Sequence, residues 1–188
     1  LRKDLMVIKM ELTEKTLKTD RIFEGRVINL RVDTVSLPDG KEAEREIVEH
    51  NGGVAVLAFD EDGKVLTVKQ YRIPYNEVTI EIPAGKLEIG ENPEECGRRE
   101  LHEETGYIAK EMELLFTLYP SPGYCSEKIY IYYAKNTEKA DQKLDEDEYL
   151  DVCRYSVNEL YEMLSAGEIR DAKTIAAVLK AKLITEGM

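Results

Sequence analysis

The chain has 188 residues, 43% of them hydrophobic and 34% charged, and a formal net charge of −12. That acidity excludes a sequence-independent nucleic-acid binder, which needs basic surface to displace condensed counterions. No apolar run approaches the roughly 18 residues of a membrane span, no signal-peptide core opens the chain, and Cys96, Cys125 and Cys153 form no CxxC pair, so a reduced, globular, cytoplasmic protein is expected.

Residues 1–20 are charged and loosely patterned, open to reading as an arm, a short strand or a frayed start. From Arg21 the alternation sharpens. RIFEGRVINLRVDTVSL, the turn-forming triplet Pro38-Asp39-Gly40 and KEAEREIVEH read as strand, turn and strand. GGVAVLAF and KVLTVKQYR flank DEDG, whose Gly63 suits a positive φ, and this predicts a second hairpin. EVTIEIPAG is again β-rich. Beyond the next segment, ELLFTLYPSPGYCSEKIYIYYAK is strand-like, with Tyr and Ile alternating from 129 to 133. VNELYEMLSAGEI and DAKTIAAVLKAKLIT carry apolar residues at helical intervals and predict two helices separated by a stop at Gly167. Strands first and helices last give a mixed α/β body.

The segment between these strands, GKLEIGENPEECGRRELHEETGY (85–107), holds seven glutamates. Its helix can be placed from its ends: Asn92 as N-cap, Pro93 at the first position, Glu95 three residues after the cap, and Gly106 as a left-handed stop. At about 100° per residue, Glu100, Glu103 and Glu104 share a side with Cys96 and Gly97, while Glu95, Arg98, Arg99 and His102 point elsewhere. A solvated acidic helix is the ordinary reading of so many glutamates. Small residues beside the carboxylates argue instead for close packing, and buried carboxylates need partners. Hard divalent cations with oxygen ligands, Mg²⁺ or Mn²⁺, resolve that conflict.

Gly85, five residues, Glu91, seven residues, Arg99-Glu100-Leu101, one residue, Glu103-Glu104, one residue, Gly106-Tyr107 resembles the Nudix hydrolase signature at each of nine specified positions. The stretches from Val48 to Arg72, EIPAGKLE, SPGYCSE and DEDEYLDV resemble the ADP-ribose pyrophosphatase branch, as does Pro122, fifteen residues beyond Tyr107. This likeness runs from about residue 20 to the C-terminus. It implies an α/β (α+β) fold: a Nudix-type α/β/α sandwich with a mixed β-sheet at 50–188, preceded by an N-terminal antiparallel β subdomain at 1–49. It further implies a metal-dependent hydrolase that cuts ADP-ribose to AMP and ribose 5-phosphate by attack of water on phosphorus.

The same resemblance implies a set of roles. Glu100, Glu104 and the carbonyl of Ala84 hold two or more metal ions, joined by Glu103 as ligand or assisting base. Glu91 and Arg99 brace the loop between Gly85 and Gly106. In the acidic run LDEDEYLDV, Glu146 fits the general base and Glu148 a further metal ligand, although such runs are ordinarily solvated loops. Arg45 and Arg72 match phosphate or ribose contacts, a task suited to planar bidentate donors, although a strand-surface position is the more common fate of such an arginine. Glu46, Lys86, Ser121, Pro122, Gly123 and Glu127 complete the expected substrate pocket. Phe23 is a candidate to stack on adenine, or else ordinary strand core. Cys96 and Cys125 have no histidine placed to activate them and read as packing residues. The branch also implies a homodimer with exchanged N-terminal strands, in which Arg45 or Phe23 reaches the partner's pocket. Another nucleoside diphosphate derivative (a nucleotide sugar, NADH or a dinucleoside polyphosphate) is the alternative substrate, and a nucleotide-sensing module without turnover is the alternative class.

Overall fold

Alternation in the first part of the chain becomes an antiparallel meander. In a computed structural model, which describes residues 12–144 and 149–187, β1 (Lys15–Glu24), β2 (Ile28–Ser36) and β3 (Glu42–His50) pair in the order β1-β2-β3. The run from Arg21 to Leu37 is therefore two strands rather than one. It breaks at Gly25, whose N–H donates to the carbonyl of Ile28 at 3.0 Å; a Cβ at Gly25 would lie 2.9 Å from that oxygen, so the turn needs glycine. The expected turn at Pro38-Asp39-Gly40 is present, with Gly40 at φ 84° and its N–H on the carbonyl of Leu37.

Two compact units divide the chain. The first runs to His50 and takes in a piece of distant chain, Ser121–Ser126. Val48 makes two backbone bonds to that piece, donating to the carbonyl of Tyr124 at 2.8 Å and accepting from the N–H of Ser126 at 2.9 Å. Sequence position alone assigns those six residues to the later domain, because only chain folding brings them against β3. Among the described residues of this unit, little is buried except Val35 and Asp33, and β1 is exposed at every position.

The second unit, Asn51–Pro120 with the chain from Glu127 onward, is a sandwich. Its central sheet has the order β7-β4-β9-β8, built from β4 (Gly53–Ala58), β7 (Ala84–Lys86), β8 (Tyr107–Leu118) and β9 (Ile129–Lys139). β4 pairs antiparallel with β7 and parallel with β9, so the sheet is mixed. Every residue of β4 is buried, and the period of two sorts them into two cores. Val54, Val56 and Ala58 pack with Cys96 and Leu101 of α1 (Pro93–Thr105). Ala55 and Leu57 pack on the other side with Leu160 of α2 (Val157–Ser165) and Ala177 and Val178 of α3 (Ala172–Thr185). Burying each such leucine or valine contributes about 1.5–3 kcal/mol. Among the described residues no helix is long and apolar enough to cross a membrane.

A second sheet, order β10-β5-β6, is formed by β5 (Val65–Arg72), β6 (Glu77–Glu81) and β10 (Leu150–Tyr155), all antiparallel. The hairpin expected around DEDG is corrected here. The turn forms, with Asp60 N on the carbonyl of Lys64 and Gly63 at φ 73°, but only the Phe59–Val65 bridge joins its arms. Beyond that bridge β4 enters one sheet and β5 the other. A strand buried on both faces needs ladders on both edges, and β7 and β9 already fill those of β4. The helix ends agree with expectation: Asn92 Oδ1 accepts from Glu94 N at 2.8 Å, Gly106 has φ 70°, and Gly167 has φ 76° after α2.

Candidate active site

The acidic side of α1 lies over the start of β7. Glu104 Oε2 accepts the N–H of Ala84 at 3.0 Å, which joins the end of the helix to the turn that leaves β6. One turn earlier, Glu100 rests against Gly85 so closely that a Cβ there would overlap its carboxyl group. Gly97 gives the helix its approach to β4, since a Cβ at that position would sit 2.9 Å from Val54 Cγ1. Glu100 and Glu104 are buried and Glu103 is partly exposed at the rim. The small and acidic residues thus share one packed surface, not a solvated one.

Arg99 is placed differently from the expectation of a wheel diagram, which points it away from the three glutamates. Its stem is long enough to reach back. Nη1 donates to Glu100 at 2.7 Å and Glu103 at 2.9 Å, and Nη2 to Glu91 at 3.2 Å. Burial works against the Arg99 charge, but Glu100 and Glu103 outweigh it and push its pKa up. Burial likewise opposes ionisation of Glu91, and the N–H of Glu88 and the charge of Arg99 prevail and draw its pKa down. Cys96, fully buried beside these anions, has its thiol pKa pushed up to about 12 by desolvation and by Glu91 and Glu100, so it stays a thiol and not a nucleophile.

The chain that follows β9 is tied to the same helix end. Ala140 N donates to the carbonyl of Gly106 at 2.6 Å, Gln142 Nε2 to that of Glu104, and Lys143 N to that of Glu103 at 3.2 Å. Glu146 and Glu148 lie just beyond this tether, outside the described residues.

Arg72, at the end of β5, makes a two-pronged contact with Glu81 at the end of β6: Nε to Oε1 at 2.7 Å and Nη2 to Oε2 at 2.6 Å. Its pKa is raised by that hydrogen bonding, with smaller contributions from Asp171 and Glu104. Desolvation alone would raise the pKa of Glu81, but Arg72, Lys173 and Thr79 lower it to about 2. Glu81 was not among the residues expected from sequence. Alternation in EVTIEI groups Glu81 with Glu77 and Thr79 on the polar face, so no sequence signal marked it as buried.

The remaining candidates fall in two units. Lys86 is exposed on β7 and Glu127 is half-buried in the second unit. Phe23, Arg45, Glu46, Ser121, Pro122 and Gly123 belong to the first unit. Phe23 is 54% exposed on β1, so the reading as strand core does not hold. The guanidinium of Arg45 is engaged by Glu14, through Nε at 3.0 Å and Nη2 at 2.6 Å.

A family model described as a NUDIX domain matches residues 49–178. The chain belongs to the Nudix family. A second model, the nucleoside diphosphate sugar hydrolase N-terminal domain, matches residues 14–48. The chain is 46% identical over 167 residues to a methanol dehydrogenase activator of Bacillus methanolicus, covering 88% of this chain and 90% of that protein. It is 44% identical over 169 residues to the ADP-ribose pyrophosphatase of Bacillus subtilis, covering 89% and 91%. A solved structure of an ADP compounds hydrolase superposes with a TM-score of 0.79, covering 93% of this chain and 96% of that one at 20% identity, which shows the shared fold.

Nudix hydrolases use divalent metal ions. Among the described residues, no three His, Cys, Asp or Glu side chains converge as a ready-made metal group. What stands there is the Arg99 guanidinium, with Glu91, Glu100 and Glu103 all bonded to it. A cationic group already gathers the anions of the site, and the donors are oxygens throughout, so the residues fit hard divalent cations.

Two measurements check this geometry. Because the folded pKa of Glu81 lies below its ordinary value of 4.5, its stabilisation is complete above about pH 4.5 and is lost as pH falls through about 2. Glu81→Gln should lower the unfolding free energy by about 3 kcal/mol at pH 7, and urea denaturation should show that difference shrinking between pH 4.5 and 2. A difference that stays level across this window would contradict the ion pairing. Gly85→Ala should force the buried, Arg99-bonded Glu100 carboxyl group to shift, so thermal stability falls and metal-dependent turnover falls by about a hundredfold. Unaltered turnover would show that the position of Glu100 is not critical.

Proposed function

We propose that the chain is an ADP-ribose pyrophosphatase that hydrolyses ADP-ribose to AMP and ribose 5-phosphate. The observation that carries this reading is the 44% identity to the Bacillus subtilis enzyme of that name across nine-tenths of both chains, combined with an intact acidic helix. In the reaction, the oxygen of water forms a bond to phosphorus, the bridging P–O bond breaks, and the leaving phosphate departs as the second product. Glu100, Glu103, Glu104 and the carbonyl of Ala84 would hold Mg²⁺ or Mn²⁺. Bound there, such ions polarise the diphosphate and lower the pKa of water. Arg99 anchors the carboxylates of Glu91, Glu100 and Glu103 so that their mutual repulsion does not splay them.

Glu146 takes the proton of the attacking water and Glu148 adds an oxygen ligand; the tether of residues 140–143 to the last turn of α1 supports this assignment. Arg72 offers its guanidinium to the diphosphate. Lys86 and Glu127, in the second unit, are assigned to the terminal ribose. Arg45, Glu46, Phe23, Ser121, Pro122 and Gly123 are the candidate substrate contacts of the first unit. Three free cysteines support a reducing, cytoplasmic setting.

A second substrate reading, a nucleotide sugar, is favoured by the description of the model that matches residues 14–48. Products are separated chromatographically after incubation of the full chain and Mg²⁺ with ADP-ribose, a nucleotide sugar, NADH and a dinucleoside polyphosphate. A methanol dehydrogenase assay is run beside them, because the Bacillus methanolicus relative is named as its activator. AMP and ribose 5-phosphate should appear with the highest kcat/KM. Glu103→Gln should reduce turnover by about 10²- to 10⁴-fold. A tenfold or greater preference for another substrate would replace ADP-ribose, and no turnover of any would favour a sensing module.

The N-terminal sheet supports a homodimer. β1 is an edge strand exposed along its whole length, carrying Leu17, Ile22 and Phe23, and an edge of that kind is ordinarily covered. A second copy of this chain covers it, with strands exchanged and Arg45 or Phe23 directed to the partner. Light scattering should give twice the 21.5 kDa chain mass; a monomer mass at assay concentration would reject the dimer.

A further inference from the structure

A guanidinium at the end of a strand, with 38% of its side chain exposed, has many rotamers open to it unless something holds it. Arg72 is held by Glu81, and Glu81 is held in turn from the opposite side of the sandwich. Lys173, the second residue of α3, donates its Nζ to Glu81 Oε2 and to Asp171 Oδ1, the latter at 2.8 Å. Thr79 Oγ1 donates to Glu81 Oε1 at 2.6 Å. The result is a line of alternating charge, Arg72, Glu81, Lys173 and Asp171, in which both oxygens of Glu81 carry two donors each. The fork uses Nε and Nη2 of Arg72 and leaves Nη1 outside it.

Lysine is seldom buried, and Lys173 is only 9% exposed, in a helix whose neighbouring positions are Ala172, Thr174 and Ile175. An apolar residue would fill the same space without the cost of desolvating a charge. The lysine therefore needs a reason beyond packing. The same helix end also grips the backbone next to Glu81: Thr174 Oγ1 accepts the N–H of Ile82 at 2.9 Å and donates to Asp171 Oδ2 at 2.6 Å. From Ile82 the chain reaches Ala84, which bonds Glu104. One helix N-terminus thus holds the carboxylate that orients Arg72 and the strand that leads to the acidic helix.

We propose that Lys173 is a positioning residue for substrate binding. Acting through Glu81, it fixes the Arg72 guanidinium so that its unpaired edge is presented to the diphosphate. Without Lys173, one oxygen of Glu81 keeps Arg72 as its only donor, the carboxylate is free to turn, and the fork loosens. The inference rests on the reading of Arg72 as a diphosphate contact.

The test uses Lys173→Met and Lys173→Arg in the full chain. With ADP-ribose and saturating Mg²⁺, Lys173→Met should raise KM by about tenfold and change kcat by less than about threefold, and Lys173→Arg should recover most of the KM. In an Arg72→Ala background the methionine substitution should add less than about twofold, because the group it positions is gone. A readout without substrate accompanies these: the Arg72 Nε–H resonance, assigned by its loss in Arg72→Ala, should be sharp in the wild type and broadened in Lys173→Met. If the methionine variant does not fold, Lys173→Gln, which keeps a donor without the charge, carries the same comparisons. A lower melting temperature with unchanged KM and an unchanged Nε–H signal would overturn the proposal, as would an equal rise in KM with and without Arg72. Should the wild type not hydrolyse ADP-ribose, the proposed function fails on that result, while the resonance still decides whether Lys173 holds Arg72.

Discussion

Glu91, Glu100 and Glu103 converge on the guanidinium of Arg99, and the acidic end of the second unit depends on that balance of charge. Two carboxylates one helical turn apart repel, and partial burial strengthens the repulsion by lowering the local dielectric. A planar cation with several donors answers three of them at once in a way that a lysine cannot. Glu104 is answered separately, by the backbone N–H of Ala84. With the carboxylates gathered rather than splayed, a helix can carry them against a sheet edge, and the oxygens stay together as a donor set for cations.

Around that balance, the packing is arranged to bring two layers to one short stretch of chain, the turn from β6 into β7. Residues 81–85 receive α1 from one side, through Glu100 at Gly85 and Glu104 at Ala84, and α3 from the other, through Lys173 at Glu81 and Thr174 at Ile82. Glycine at 85 and 97 is required by these approaches, since a Cβ at either would strike its neighbour. The central strand β4 makes the arrangement possible by feeding alternate side chains into two separate cores. Catalytic geometry is sensitive to shifts of an ångström, so a site gripped from both sides has a physical reason to be so built.

The first unit follows a different logic. It is a three-stranded sheet with few buried side chains among its described residues, and its longest strand is exposed on both faces. A sheet of this kind gains little from its own burial and relies on what covers it. The attachment of Ser121–Ser126 to β3 gives it one such cover from within the chain.

Much of the local chemistry was readable, though not the turn at Gly25. The capped helix from Pro93 to Thr105, its stop at Gly106, the turn at Gly40 and the two C-terminal helices follow from side-chain preferences that act over a few residues, and the structure bears out each of these elements. The wheel angle also grouped Glu100, Glu103 and Glu104 correctly, because helical geometry is a local rule. What sequence alone left undecided depends on contacts between distant residues. DEDG forms its turn but not a hairpin, since β4 spends both edges on β7 and β9. Arg99 joins the acids because of its reach, not its wheel position, and Phe23 is exposed because no described residue of its own unit covers it. Lys173 and Glu81, 92 residues apart, meet only when α3 closes over β6. The sequence by itself determined which carboxylates share one side of the helix, because 3.6 residues per turn is a local rule, and its nine-position resemblance to the Nudix signature implied diphosphate hydrolysis. Only the tertiary structure decided what holds those groups in place, because ion pairs across a sandwich exist once the layers have packed and not before.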